Sequence, residues 1–568
     1  MSLQSLSQEL KELISGYDTR WFLGDLSGLM KNIASGRAND QLGQLSSPLR
    51  QLYFLGGLLI TSDNADGNDI QYDPEKWDQI VTLLNAIEEE YDKMFFPKKN
   101  KQVNESWQHV RKVAMPSFLA YFNQGPLNYE EQMIDWVTEL YSNFDEHILE
   151  KTGLTTANFL EFYDNLDELI QQNFNSFGFP KGKVKPDWQK YTTIKMAEPP
   201  IELGFKIDDK QKALFTFMSD HGIINRFYPD ELVSETLSID QVKAILSLLS
   251  TTRAVADFLY YTATRPGNPL YEKPVIDLED GLYQVFEVKQ VIHAIDGILE
   301  KVCSDTGDYI SRLTKRKGKL LEDKVAGLFT AFLKKDFEIH KGYFVDGNEQ
   351  DILILWKDFA FIIEAKGYNI REPLRDPEKA FVRIKNDFKS SIGYGYEQAR
   401  RVEKYFTEGK PLKICDDSGR LIKEIDTTRF KDNAFSIIVN LKSFGQIQAD
   451  LSTLLEVDDD SSFPWAVKVD DLEVFFLTMI AKKKKPDDFI EFLTLREKMH
   501  DKLICSDELE VCAAFLKGEI TEEKIEAAEM IAGNPDSTEI FDEQYRAVMG
   551  FKNEKNLAKK QSGKYIFW

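Results

Sequence analysis

The chain has 568 residues, 42% of them hydrophobic and 12% aromatic, with four cysteines and a formal net charge of −23. That length exceeds what one hydrophobic core serves and predicts about two to four domains, while the charge excludes a generic nucleic-acid-coating protein. Leu52–Ile60 is too short an apolar run to cross a bilayer, and Cys303, Cys415, Cys505 and Cys512 lack the spacing of a disulfide framework or zinc site, as suits a reducing cytosol.

The opening MSLQSLSQELKEL lacks a charged segment followed by an apolar core, so no signal peptide is expected and the placement reads as cytoplasmic, away from membranes. Residues 1–175 read as an all-α N-terminal domain. Ser47-Pro48 is a helix start, and Leu49 to Ile60 follow as a helix apolar on nearly all sides, hence buried. Trp77, Ile80, Val81, Leu84, Ile87 and Tyr91 recur at helical spacing, and further helices are expected over 105–123, 129–150 and 157–174. Residues 129–170 hold 11 acidic side chains against Lys151 alone. They form either solvated helix faces or a surface for a basic partner.

Residues 176–300 read as a linker and a mainly helical second region. Pro180, Pro186, Pro199 and Pro200 mark the linker. Val275–Val285 reads as a hairpin turning at Glu279-Asp280-Gly281.

Within residues 301–490, the stretch Glu349–Gly367 reads as two apolar strands meeting at Lys357-Asp358. A turn symmetric about those two residues pairs Trp356 with Phe359 and Leu353 with Ile362, which sets Asp351 opposite Glu364. Facing residues lie roughly 4.5–5.5 Å apart on one side of a sheet, and Glu364 and Lys366 share a face. Two carboxylates and an ammonium therefore converge amid apolar residues. Burying them is costly unless they pair or bind metal. Oxygen ligands suit a hard cation such as Mg²⁺. The alternative is a structural ion pair on a half-exposed hairpin.

Asp351 followed by Glu364-Ala365-Lys366 resembles the PD-(D/E)xK motif of restriction-endonuclease-like nucleases, with Gln350 where the motif names a Pro. The resemblance covers about residues 310–480. It implies a multidomain protein in which an α/β domain with a mixed central sheet follows the helical half and precedes a helical C-terminal segment, 491–568. It further implies a phosphodiesterase dependent on Mg²⁺ or Mn²⁺, with Asp351 and Glu364 as metal ligands and Lys366 beside the attacking water. Glu322, near the start of a helix after Gly318, matches a glutamate that assists metal binding in the family; the alternative is a surface glutamate in a first helical turn. Gln398 matches an accessory position, although the family's Tyr four residues later is here Val402 and the tyrosine comes at Tyr405.

Residues 311–410 hold 21 Lys and Arg against 16 Asp and Glu, a local balance of +5. Lys317, Lys319, Arg383, Lys385, Arg400 and Arg401 are therefore the expected phosphate contacts, with Arg371 and its neighbours as part of the same track. Strands are expected at Phe337–Phe344, Ala434–Leu441 and Trp465–Val469, and a helix capped by Asp470 and Glu473 after them. No P-loop motif occurs, so no ATP site is expected. Such nucleases serve bacterial defence or DNA repair, which makes DNA the expected substrate, with RNA not excluded. The helical half would then regulate, sense a trigger or form homo-oligomers. A catalytically silent binding or assembly factor is the competing reading.

Overall fold

The computed structural model describes residues 2–34, 39–63, 69, 71–96, 105–123, 128–192, 207–261, 266–279, 281–368, 370–431, 433–458 and 461–548. The chain forms two compact units. The first contains the described residues up to 96 and from 129 to 310. The second contains 105–123, 128 and 311–548.

This division departs from the sequence-based one at three places. Residues 207–300 join the N-terminal helices instead of standing apart, the C-terminal helices join the sheet-bearing unit, and helix 105–123 leaves the N-terminal set. The apolar ending Tyr565–Trp568 lies outside the described residues.

The first unit is mainly helical. In the helix Pro48–Ile60 every residue from Arg50 onward is buried, as its all-round apolar pattern predicts. A small four-stranded sheet includes the expected hairpin, Val275–Asp277 against Tyr283–Val285. Arg226, on the edge strand Arg226–Phe227, is fully buried. Its guanidinium donates to both Asp220 oxygens at 2.7 and 2.8 Å, to Gln284 Oε1 at 2.7 Å, and to the carbonyls of Arg20 and Tyr191.

In the second unit, α1 (Glu105–Asn123) packs against α3 (Pro377–Phe388), with the His109 ring edge-on to Phe381. Helix α2 (Gly307–Leu333), whose residues from Ser311 onward belong to this unit, leads to strands β1 (Phe337–Val345), β2 (Asn348–Trp356) and β3 (Phe359–Lys366). After α3 come α4 (Tyr394–Glu408), β4 (Leu412–Cys415), β5 (Leu421–Ile425), β6 (Ala434–Asn440), β7 (Trp465–Lys468) and α5 (Val469–Ala481). The sheet order is β7-β6-β3-β2-β1-β4-β5; β6 runs parallel to β3 and β7, and the remaining pairs are antiparallel. A mixed sheet under helices is the expected class. Strands β4 and β5 are not expected from the sequence: β4 alternates but has only four residues, and four of the five β5 residues are exposed.

Two expectations for helix starts fail. Helix α2 runs unbroken through Gly318, so Glu322 sits in its interior and not in a first turn. The apolar stripe of Leu313, Leu320, Leu321, Val325 and Phe329 continues on both sides of the glycine, and packing of that stripe overrides the glycine's modest helix penalty. Helix α5 starts at Val469 without a side-chain cap. Glu473 instead pairs with Lys324 at 2.7 Å, because burial demands a countercharge. In the C-terminal segment a short helix spans Glu522–Ala527.

Candidate functional site

The hairpin register places the acidic residues. Trp356 pairs with Phe359 and Leu353 with Ile362, and the ladder runs to Ile352 and Ile363. One further step sets Asp351 against Glu364. The turn needs only Lys357 and Asp358. Lys357 takes a left-handed φ of 51°, and its ammonium lies over the Trp356 ring and pairs with Asp487 at 3.0 Å. On the other side of β2, the turn Asp346-Gly347 has positive φ at both residues, the form that matches strand twist. β1 pairs with β2 at Lys341–Ile352 and Tyr343–Gln350, with Gly342, at φ 56°, between them and alongside Asp351. A side-chain-bearing residue would be strained at that φ.

Lys366 Nζ donates to Glu364 Oε2 at 2.8 Å and to Asp351 Oδ2 at 3.1 Å. Asp351 Oδ2 also accepts from the Ala365 amide at 2.7 Å. Glu364 is 0% exposed, and its second oxygen, Oε1, is buried without a hydrogen-bond partner. Gly395, in the first turn of α4, makes room for the lysine: a Cβ there would lie 3.1 Å from both Lys366 Cε and Ile438 Cγ2.

The electrostatics follow from burial of like charges. Burial first, then Asp351, pushes the Glu364 carboxyl up to about 8, with Lys366 opposing. Burial disfavours the Lys366 ammonium, but Glu364 and Asp351 outweigh it and hold its pKa above the ordinary lysine value. Glu322 feels the same field. Burial, then Asp351, Glu349 and Asp323, push it up to about 7, and Lys366 opposes.

Sequence reasoning located Asp351, Glu364 and Lys366, which the fold brings together, and Glu322, which it brings within their electrostatic reach. Among the described residues, however, no set of three His, Cys, Asp or Glu side chains is arranged to hold a metal. The expected trio of Asp351, Glu364 and Glu322 is thus not assembled as a cage; Lys366 bridges the first two carboxyls instead. The donors themselves fit a hard divalent cation. Both are carboxyl oxygens, and Glu364 Oε1 has no other partner.

Gln398 is buried and donates to the Glu349 carbonyl at 3.2 Å, so it braces the strand leading to Asp351. Tyr405 donates to Asp346 at 2.8 Å and holds the adjacent turn. The expected phosphate contacts separate. Lys319 and Lys385 are exposed, and Lys317 is half-buried. Arg383 donates to the Glu372 carbonyl at 2.7 Å. Arg371 is consumed by the fully buried Asp387, at 2.6 Å, and does not belong to a free basic track. Arg400 and Arg401 line a cleft of about 600 Å³ along α4.

Tyr343 escaped the sequence reading. Its hydroxyl is buried without a hydrogen-bond partner, and burial, then Glu364 and Asp351, hold its pKa well above the ordinary tyrosine value. The Asp-Gly turn that places it opposite Gln350 was the available signal.

Comparison with protein-family models, with curated proteins and with solved structures gives no match to this chain. Among the described residues no helix is long and apolar enough to cross a membrane.

Proposed function

We propose that the chain is a metal-dependent nuclease of the PD-(D/E)xK type that hydrolyses phosphodiester bonds of DNA. The observation that carries this reading is the convergence of Asp351, Glu364 and Lys366 within 3.1 Å at the end of β3, with Glu364 Oε1 left without a partner. A site that kept these groups only for stability would be better served by apolar residues, since burying such charges is expensive.

Asp351 and Glu364 would hold Mg²⁺ or Mn²⁺. The cation supplies stabilisation of phosphate charge and a water of lowered pKa. Lys366 would position the attacking water and offset charge growing on the phosphate. The Ala365 amide and the lysine fix the Asp351 carboxylate, and Gln398 and the Asp346-Gly347 turn hold β2 in register. The first unit serves regulation, sensing or assembly.

The test is cleavage of supercoiled plasmid with Mg²⁺ or Mn²⁺ against EDTA. Wild type should nick or linearise it, and Asp351→Ala and Lys366→Ala should lose about a hundredfold or more, the scale of removing a positioned catalytic group. Equal cleavage by all three would sink the proposal. The catalytically silent reading draws on the absence of a three-ligand cluster among the described residues. It expects no Mn²⁺ binding by electron paramagnetic resonance and no cleavage of DNA or RNA. An RNA substrate for the same site would show as faster cleavage of a labelled RNA than of its DNA counterpart.

A further inference from the structure

Helix α4 starts at the candidate site and leaves it as a charged stripe. Tyr394 is 53% exposed, and its ring centroid lies 5.7 Å from Lys366 Nζ. Helical periodicity places Glu397, Arg401 and Lys404 on the same side as Tyr394, three, seven and ten residues on. From Tyr396 onward this side of α4 forms one wall of the 600 Å³ cleft, where Arg400, Arg401 and Lys404 face Lys410. The other wall includes Glu456 and Asp458, from the loop before β7. Asp458 Oδ2 stands 3.6 Å from Arg400 Nη2, too far for a good hydrogen bond, and Arg400 Nε is buried without a partner. Of the cleft's other acids, Asp346 accepts from Tyr405 and Glu408 pairs with Lys410, both partners lining the cleft as well, and Glu397 lies a turn before Arg401.

We propose that this cleft binds a single-stranded segment of nucleic acid, its phosphates taking the place of Asp458 at Arg400 and lying along Arg401 and Lys404, with a base stacked on Tyr394. A cation row joined to an exposed aromatic ring is the pairing that single strands need, because every base has a face to stack and every linkage a phosphate to neutralise. Asp458 acts as a resident phosphate mimic. It partly compensates Arg400 when the cleft holds no strand and imposes a toll on weak binders. The direction of the strand, from Tyr394 toward Lys410, rests on the nuclease reading of Asp351, Glu364 and Lys366; the binding does not.

The test separates the two. Anisotropy of a labelled oligothymidylate of about 12 nucleotides, and of a duplex of equal length, is measured on the full chain in EDTA, where no cleavage occurs. The single strand should bind more tightly than the duplex. Arg401→Ala with Lys404→Ala should weaken it about tenfold or more and flatten its salt dependence. Tyr394→Ala should weaken it about fivefold or more, the stacking term, and Asp458→Asn should tighten it about threefold or more by removing the competing charge. Unchanged folding of each variant is checked by thermal melting. Preference for the duplex, or indifference to both the lysine–arginine and the aspartate changes, would overturn the proposal even if plasmid cleavage is observed. Binding with this pattern in a protein that cleaves nothing would support it while removing the nuclease reading.

Discussion

The position of Lys366 depends on a residue with no side chain. The lysine's Cε and Ile438 Cγ2 occupy the space beside Gly395 that a methyl group would enter. Gly395→Ala should therefore leave the fold intact while displacing Nζ from between its carboxylates, and cleavage should fall about tenfold or more, as expected when a reacting group is shifted by a fraction of an ångström to one ångström. Wild-type cleavage rates in the variant would show that Lys366 tolerates the shift or takes no part. The Glu-x-Lys spacing and its upstream aspartate were legible because alternation on a strand is fixed. Gly395 was not, since its meaning comes from Lys366 and Ile438, more than twenty residues away on either side.

At the scale of elements, β5 is an open sheet edge that is kept unreactive. Leu421 and Ile422 are exposed, but the ladder to β4 slips by one residue between Lys423 and Leu421, and Lys423 and Glu424 follow. A bulge and alternating charges are devices that discourage edge pairing. Lys423→Val with Glu424→Thr should produce concentration-dependent oligomers in light scattering, while wild type should not associate through this edge; a variant that behaves as wild type would refute the protective role. The same bulge and exposure explain why β5 was invisible as a strand. The helix α6 (Pro486–Glu497) bears Arg496, and beyond its end lies His500. Burial, then Arg496, pushes His500 down to about 4, against the opposing pull of Asp450 and Asp501. The Leu451 amide, the Arg496 guanidinium, Asp450 and the Phe463 ring all face the imidazole. The folded state thus binds fewer protons than the unfolded one. Its contribution is complete above pH 6.5 and is lost as the pH falls from 6.5 toward 4. Urea titrations should show wild type losing up to about 3 kcal/mol more than His500→Gln over that window. Parallel loss in both proteins would assign acid sensitivity to other groups.

At the scale of the whole molecule, the first unit is pinned by a buried ion pair that the sequence does not advertise. Arg226→Met leaves Asp220 buried and uncompensated, which costs about 3–5 kcal/mol. Hydrogen exchange should reveal faster opening of residues 220–227 and 283–286 in that variant, and unchanged protection would refute the role. By itself the sequence determined the helical N-terminal half, the Glu349–Gly367 hairpin and the meeting of Asp351, Glu364 and Lys366, because periodicities of 3.6 and 2 and a short turn are local properties of the backbone, whereas the mixed sheet came only from the family resemblance. Only the tertiary structure decided that residues 105–123 pack with the sheet-bearing unit, that α2 runs through Gly318, that Arg371 is claimed by Asp387, and that Lys366 stands between two carboxyls where a third acidic ligand was expected. Each of these is settled by which distant surface a residue is buried against, and burial, with the charge pairing it enforces, is not written in the spacing of residues along the chain.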